Sequence, residues 1–363
     1  MRRRVLLGVL LVILLLGAVF GFKLVPSTEL QTAFAQAGAT YVGSEVCAAC
    51  HKAIYDNFKA TGHPYKLRTA EEARAAGLPK PSYVEWKDIL FVIGGFKWKA
   101  RYVDQNGYII TQSKDGSIKG KNQFNIETEQ FVDYEAGKAK PYDCGSCHTT
   151  GYSKEGNQLG KPGLIGTWVF NGIQCEACHG PASQHVANGG DKTKIKIDRS
   201  AAACGTCHSR GTDMAVIPAK PPFIEHHEQY QELLQSPHKK LDCVTCHNPH
   251  KRARLDMPAT CASCHVTQVA DFQGSKHQQA GVRCESCHMP NLVKTAVQRG
   301  PFEADIPAHL FTINTDTKAK QFSDDGKFAN GYVTWQYACL PCHSGRDEAW
   351  AAQYLKGVHK LGK

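Results

Sequence analysis

The sequence predicts a mainly α chain with much irregular loop, whose core is filled by something other than aliphatic side chains. Three observations predict it. All sixteen cysteines of the 363 residues fall into eight C-x-x-C-H units. Six of these units lie between Cys144 and His288, too close for each to be wrapped in an apolar core of its own. The helical patterns are short, such as 51–59 and 226–235, and loops join them.

The units begin with Cys47, Cys50 and His51, then Cys144, Cys147 and His148, Cys175, Cys178 and His179, and Cys204, Cys207 and His208. Then follow Cys243, Cys246 and His247, Cys261, Cys264 and His265, Cys284, Cys287 and His288, and Cys339, Cys342 and His343. Two thiols at this spacing reach the two vinyl groups on one porphyrin edge and form thioethers, and the adjacent imidazole falls under the iron. A lone C-x-x-C also fits a zinc knuckle or a redox dithiol, but neither needs a histidine after every second cysteine. The expectation is eight covalent haem c groups, with the motif histidines as proximal iron ligands. Haems this crowded pack on one another and become the core, so the chain is not expected to fold without them.

Nine histidines lie outside the motifs: His63, His185, His226, His227, His238, His250, His277, His309 and His359. They suffice to give every iron a second axial imidazole with one to spare. Methionine competes poorly, since only Met214 and Met257 stand clear of the N-terminus and of the motif histidines. His226 and His227 are adjacent, so one of them is expected to serve, and His227 is favoured. His185, His238, His250 and His277 lie a few residues from a motif. The axial nitrogens of one haem lie about 4 Å apart on opposite faces, so a short chain segment cannot reach around the macrocycle. These four are expected to cap a neighbouring haem.

The formal charge of +10 invites a nucleic-acid reading, but the cofactor removes it. Each haem brings roughly −2 from its propionates and returns roughly +1 as a bis-histidine ferric centre, so eight oxidised haems add about −8. The lysines and arginines read as propionate partners, and no nucleic acid is expected as a partner.

At the N-terminus Arg2, Arg3 and Arg4 precede an apolar run over 5–22, and Ala33, Phe34 and Ala35 match a small-x-small cleavage pattern. Residues 1–35 are either a signal peptide or a retained membrane anchor. Both place the rest outside the cytoplasm, periplasmic or extracellular, and any membrane contact runs through this segment alone. Residues 36–140 then form a first-haem module, and 141–363 a seven-haem module. Within the first, residues 89–112 read as a small β-hairpin or sheet insertion: 89–93, 98–103 and 108–111, with Asn106-Gly107 as the turn. It reads as a cover for the first haem or as a docking surface.

Two stretches resemble known families. Tyr41-Val42-Gly43-Ser44-Glu45, then Thr61-Gly62-His63-Pro64, Cys147-His148-Thr149-Thr150-Gly151-Tyr152, and Cys175-Glu176-Ala177-Cys178-His179-Gly180-Pro181 followed by His185, are similar to the tetrahaem cytochromes c that accept electrons from hydroxylamine oxidoreductase. This covers roughly 41–210. Ser236-Pro237-His238, Cys287-His288-Met289-Pro290 and His309-Leu310-Phe311 resemble the wider multihaem cytochromes that include the pentahaem nitrite reductases. The resemblance implies a multihaem cytochrome c fold with stacked haems, distal roles for the matching histidines, and a contiguous haem chain. The chain departs from both groups. Eight haems exceed the tetrahaem pattern, no C-x-x-C-K unit is present, and no tyrosine is identifiable as a haem cross-link.

Two functions fit. One is an electron carrier between extracytoplasmic redox partners, either other redox proteins or a membrane quinol-oxidising complex. A filament of stacked subunits is a variant, with His359 reaching a neighbour's haem. The other is an oxidoreductase of small nitrogen or sulfur compounds, needing one open iron and a group such as His226 or Tyr230 beside it.

Overall fold

The computed structural model describes residues 38–253 and 256–360, so the expected export segment over 1–35 lies outside the described residues. Helix makes up 30% and strand 17%, with irregular loop between them. The longest described helix, Ser44–Lys59, carries the first motif. The other motifs sit on helices of one or two turns, such as Cys175–His179 and Cys284–His288, or at their edges.

The β insertion is larger than the sequence suggested. It is a seven-stranded antiparallel sheet of β1 (Leu67–Thr69), β2 (Ile89–Gly94), β3 (Lys99–Asp104), β4 (Tyr108–Ile109), β5 (Gln123–Asn125), β6 (Gln130–Val132) and β7 (Lys140–Pro141). The order is β1-β2-β3-β4-β7, with β5 paired to both β3 and β6. Strands β2, β3 and β4 are the three expected ones. Gly107 closes the β3–β4 turn at φ 92°, and a β-carbon there would lie 2.5 Å from the Leu164 amide nitrogen. Alternation sends Phe91, Ile93 and Val103 to one face, with Leu67, Leu164 and Trp168. Val92, Ala100 and Tyr102 go to the other. Ile89 shares the Val92 face despite its odd spacing, because the register shifts between Ile89 and Phe91.

The contacts of this sheet reach the second motif and the C-terminal half. Its entry at Lys66 bonds to His148 of the second motif through the main chain. On its far side, Lys99 Nζ donates to the Thr295 carbonyl and Arg299 forms an ion pair with Glu127 at 2.7 Å. A second apolar core, of Ile217, Phe223, Leu292, Val293, Leu310, Val333 and Tyr337, gathers around a three-stranded sheet of Ile217–Lys220, Phe223–Ile224 and Phe328–Ala329.

The helix expected over 226–235 begins only at Gln229. His227 adopts φ 86°, a left-handed conformation that ends helical hydrogen bonding before it starts. In sequence, a stretch of different character separates the two halves of this second core. Over 237–289, Ser275 is the only buried residue among those described. Protein atoms alone supply no core there.

Candidate haem sites

Two imidazoles on opposite faces of one haem have ring centres roughly 6 Å apart: two metal–nitrogen bonds of about 2 Å plus the inner half of each ring. Seven motif histidines meet a non-motif histidine at that separation. His51 faces His185 at 6.4 Å, His179 faces His250 at 6.1 Å and His208 faces His63 at 6.5 Å. His247 faces His309 at 6.1 Å, and His265 faces His238 at 5.8 Å. His288 faces His359, and His343 faces His277, both at 5.9 Å. His185, His238, His250 and His277 each stand opposite the histidine of a motif other than the one nearest in sequence. His359 meets His288 of its own chain.

His148 has no such partner ring among the described residues. His226 and His227 stand together, ring centres 4.2 Å apart, and the charge of His148 acts on His227.

The other ring nitrogen tells the same story. A ligating imidazole binds metal through one nitrogen and donates its second N–H to a carbonyl or similar oxygen. His148 Nδ1 lies 3.1 Å from the Lys66 carbonyl, His179 Nδ1 2.8 Å from that of Lys196, and His288 Nδ1 2.7 Å from that of Phe311. His185 Nδ1 lies 2.9 Å from the Asp191 carbonyl, and His208 Nδ1 3.3 Å from Gln229 Oε1. Each contact fixes the proton on Nδ1 and leaves Nε2 free to coordinate. Burial holds His63 down to about 4, and His148 and His309 down to about 3, so these rings are neutral at physiological pH as a metal requires. The donor set, ring spacing and tautomers therefore fit haem.

A local device sets several of the non-motif histidines. A polar side chain two residues upstream accepts the histidine's own N–H: Thr61 for His63, Ser236 for His238 and Asn248 for His250, at 3.3, 3.1 and 3.1 Å. Ser275 instead caps the short helix bearing His277 by accepting from Gln278. This Ser/Thr/Asn-x-His signal is present in the sequence and would have flagged these positions.

Buried carboxylates, which sequence reasoning missed, tie the segments down. Glu176, inside the third motif, accepts from the amides of Val42, Gly43 and Ala182 at 2.8–3.1 Å and so docks the N-terminal segment onto that motif. Glu232 accepts from the His309 amide, and burial pushes its carboxyl up to about 7. Asp305 accepts from the amides of Thr295, Ala296 and Val297 at 2.7–2.9 Å, bracing the loop that leads to His309. Replacing Glu176 by Gln turns one acceptor oxygen into an NH2 group facing amide donors. The loss is expected to be about 3 kcal/mol in a denaturant titration of the holoprotein, because buried donors are left unsatisfied. An unchanged midpoint would show the docking to be unimportant.

The motif cysteines also approach one another. The thiols of Cys47 and Cys175, of Cys147 and Cys207, and of Cys204 and Cys243 are close enough to perturb one another's ionisation. Cys178 neighbours Cys204, Cys246 neighbours Cys264, Cys261 neighbours Cys284, and Cys287 neighbours both Cys339 and Cys342.

Fold and site together define a multihaem c-type cytochrome, a class that binds haem c covalently. The sequence matches the cytochrome c554 and c-prime family over 46–87 and 111–180, and the cytochrome c3 family over 167–266. It is similar to the multihaem cytochrome MtrA of Shewanella baltica, at 27% identity over 138 residues covering 33% of this chain and 36% of MtrA. The chain thus spans about a third of that relative's length. The fold is similar to the octahaem sulfite reductase MccA of Wolinella succinogenes (TM-score 0.61, 16% identity, 84% of this chain and 65% of that one). It is also similar to the outer cell wall cytochrome OcwA (0.57, 19%, 86% of each). A third likeness is to the undecahaem S-layer cytochrome of Carboxydothermus ferrireducens (0.55, 18%, 88% and 60%).

Proposed function

We propose that the chain carries eight haems c and conducts electrons between extracytoplasmic redox partners. The seven histidine pairs carry this reading. Cys47 and Cys50 would hold a haem between His51 and His185, and Cys175 and Cys178 one between His179 and His250. The His63–His208, His247–His309, His238–His265, His288–His359 and His277–His343 pairs would take the haems of their own motifs. Iron saturated by two imidazoles exchanges electrons without binding substrate, and bis-histidine ligation favours low potentials. Haem supplies the redox centre. The chain's residues fix its axial nitrogens, shield it and set its neighbours.

The thiol contacts suggest the order. Numbering haems by motif, they give a through-line 1-3-4-5-6-7-8, with haem 2 beside haem 4 through Cys147 and Cys207. Packing of helix Ser44–Lys59 on Cys175–His179, of Ala201–Gly205 on Cys243–Cys246 and of Cys284–His288 on Trp335–Cys339 supports the same neighbours. Haem 6 is then one link on a single unbranched path between haems 5 and 7. Replacing Cys261 and Cys264 by Ala should split stopped-flow oxidation into two phases, a fast one for the haems in contact with the acceptor and a much slower one for the stranded rest. A single phase at the wild-type rate would refute this order.

Among the described residues, no helix is long and apolar enough to cross a membrane. The outer cell wall and S-layer settings named for two similar structures support an extracytoplasmic location. The partners would be other redox proteins or a membrane quinol-oxidising complex. Because His359 pairs within the chain, a filament would not need it to ligate a neighbour's haem.

A further inference from the structure

We propose that Lys66 sets the potential at the junction of haems 2 and 4, holding haem 4 above haem 5 so that electrons collect at the junction. The proposal rests on the haem arrangement above. Its first support is geometry. The Lys66 amide donates to the His63 carbonyl at 3.3 Å, and the Lys66 carbonyl accepts from His148 Nδ1 at 3.1 Å and from the Gly94 amide at 2.9 Å. His63 faces His208 of the fourth motif, and His148 belongs to the second. The main chain of one residue therefore braces an imidazole of each haem. Strand β1 begins at the next residue and pairs with β2, so the root of the Lys66 side chain is fixed in place.

The second support is charge. The Lys66 cation acts on His63 and on His208, the two imidazoles of the haem 4 pair, and also on His148 and His227. The groups whose charge acts on Lys66 in return are the thiols of Cys207 and Cys147. Both are consumed when haem attaches, because a thioether has no proton to lose. No carboxylate acts on Lys66 among the described residues, whereas Asp305 acts on Lys99 and Glu135 on Arg101. The same two cysteines show where the side chain stands: beside the thioether edges of haems 2 and 4. The propionates of both haems leave from the opposite edge, so they do not neutralise it.

The third support is the contrast with the next haem along. Neither His247 nor His309 has a lysine or arginine acting on it. Ferric haem carries one positive charge more than ferrous haem, so a neighbouring cation disfavours the ferric state. An electron that leaves ferrous haem 5, making it ferric, is then retained on haem 4, which becomes ferrous. Haem 4 is also where haem 2 joins the through-line, so the junction stores charge beside the path that carries it.

The test is a redox titration of the intact holoprotein, read by electron paramagnetic resonance. The ring planes of His63 and His208 stand at 89°, and those of His277 and His343 at 87°. Those of His51 with His185 and of His179 with His250 lie within 14°. Crossed imidazole planes give low-spin ferric haem a more anisotropic signal than parallel planes, so haems 4 and 8 are distinguishable from haems 1 and 3. In the wild-type protein one crossed-plane signal should vanish at a higher potential than the near-parallel signals. Lys66→Met keeps the apolar stem and removes the charge. It should lower the electron occupancy of that haem relative to the near-parallel haems about tenfold, or about 59 mV for a one-electron couple. Lys66→Arg should keep the wild-type order. Both crossed-plane signals outlasting the near-parallel ones in the wild-type protein would overturn the proposal. So would a Lys66→Met titration that superimposes on the wild type, or a Lys66→Arg protein displaced as far as Lys66→Met. The absence of any crossed-plane signal would instead overturn the haem arrangement beneath it.

Discussion

Replacing His250 by Met should raise the potential of the Cys175–Cys178 haem by on the order of 100 mV, and of that haem alone. His250 and His179 face each other at 6.1 Å with planes only 6° apart, and both ring positions are braced, His179 by the Lys196 carbonyl and His250 through the Asn248 turn. A thioether donates less charge to ferric iron than an imidazole does, so the reduced state gains. A shift of 100 mV is about 2.3 kcal/mol per electron, roughly a 50-fold change in the electron's distribution between this haem and its neighbours. On the proposed order this haem would lie between haems 1 and 4, so electrons would pool on it and transfer past it would slow. Spectroelectrochemical titration should show one component displaced upward and the rest in place. An unaltered titration would show that His250 is not an axial ligand.

The second large effect is on folding. Over 237–289, three C-x-x-C-H motifs share a stretch in which no described apolar side chain is buried by protein. Ordering such a stretch costs about 1–2 kcal/mol per residue in backbone entropy, and nothing in its own side chains offsets that. Chain produced without haem attachment should therefore lose all order there. Strands β2 and β3 bury Phe91, Val92, Ala100, Tyr102 and Val103 from their own sheet and should keep the most residual protection. Hydrogen exchange of the apoprotein should find amides over 237–289 unprotected and those of 89–104 the slowest. Protected amides across 237–289 without haem would mean that the macrocycles are not its core.

What could be read from the sequence followed the physics of local spacing. A C-x-x-C-H unit carries its chemistry within five residues, so the expectation for the sixteen cysteines and eight motif histidines needs no knowledge of the fold. The nine remaining histidines were legible as a supply. Their pairing was not, because it depends on where the chain goes: His63 meets His208, 145 residues on, only after the sheet has intervened. Strands β2 to β4 announced themselves by β-branched runs and an Asn-Gly turn. Strands β1, β5, β6 and β7 are two or three residues long and carry no such pattern. Glu176 looked like a spacer within its motif, since nothing local shows that three main-chain amides will converge on it. His226 and His227 read as the start of a helix, and the left-handed turn at His227 that delays it to Gln229 is a tertiary effect.

The central claim, eight covalently bound haems in electronic contact, is tested most directly by coulometric titration of the purified holoprotein with haem and thiol counted in the same sample. The account predicts eight haems per chain, no free thiol, and eight electrons taken up and returned reversibly. Fewer electrons than motifs, or C-x-x-C pairs recovered as thiols or disulfides, would contradict it.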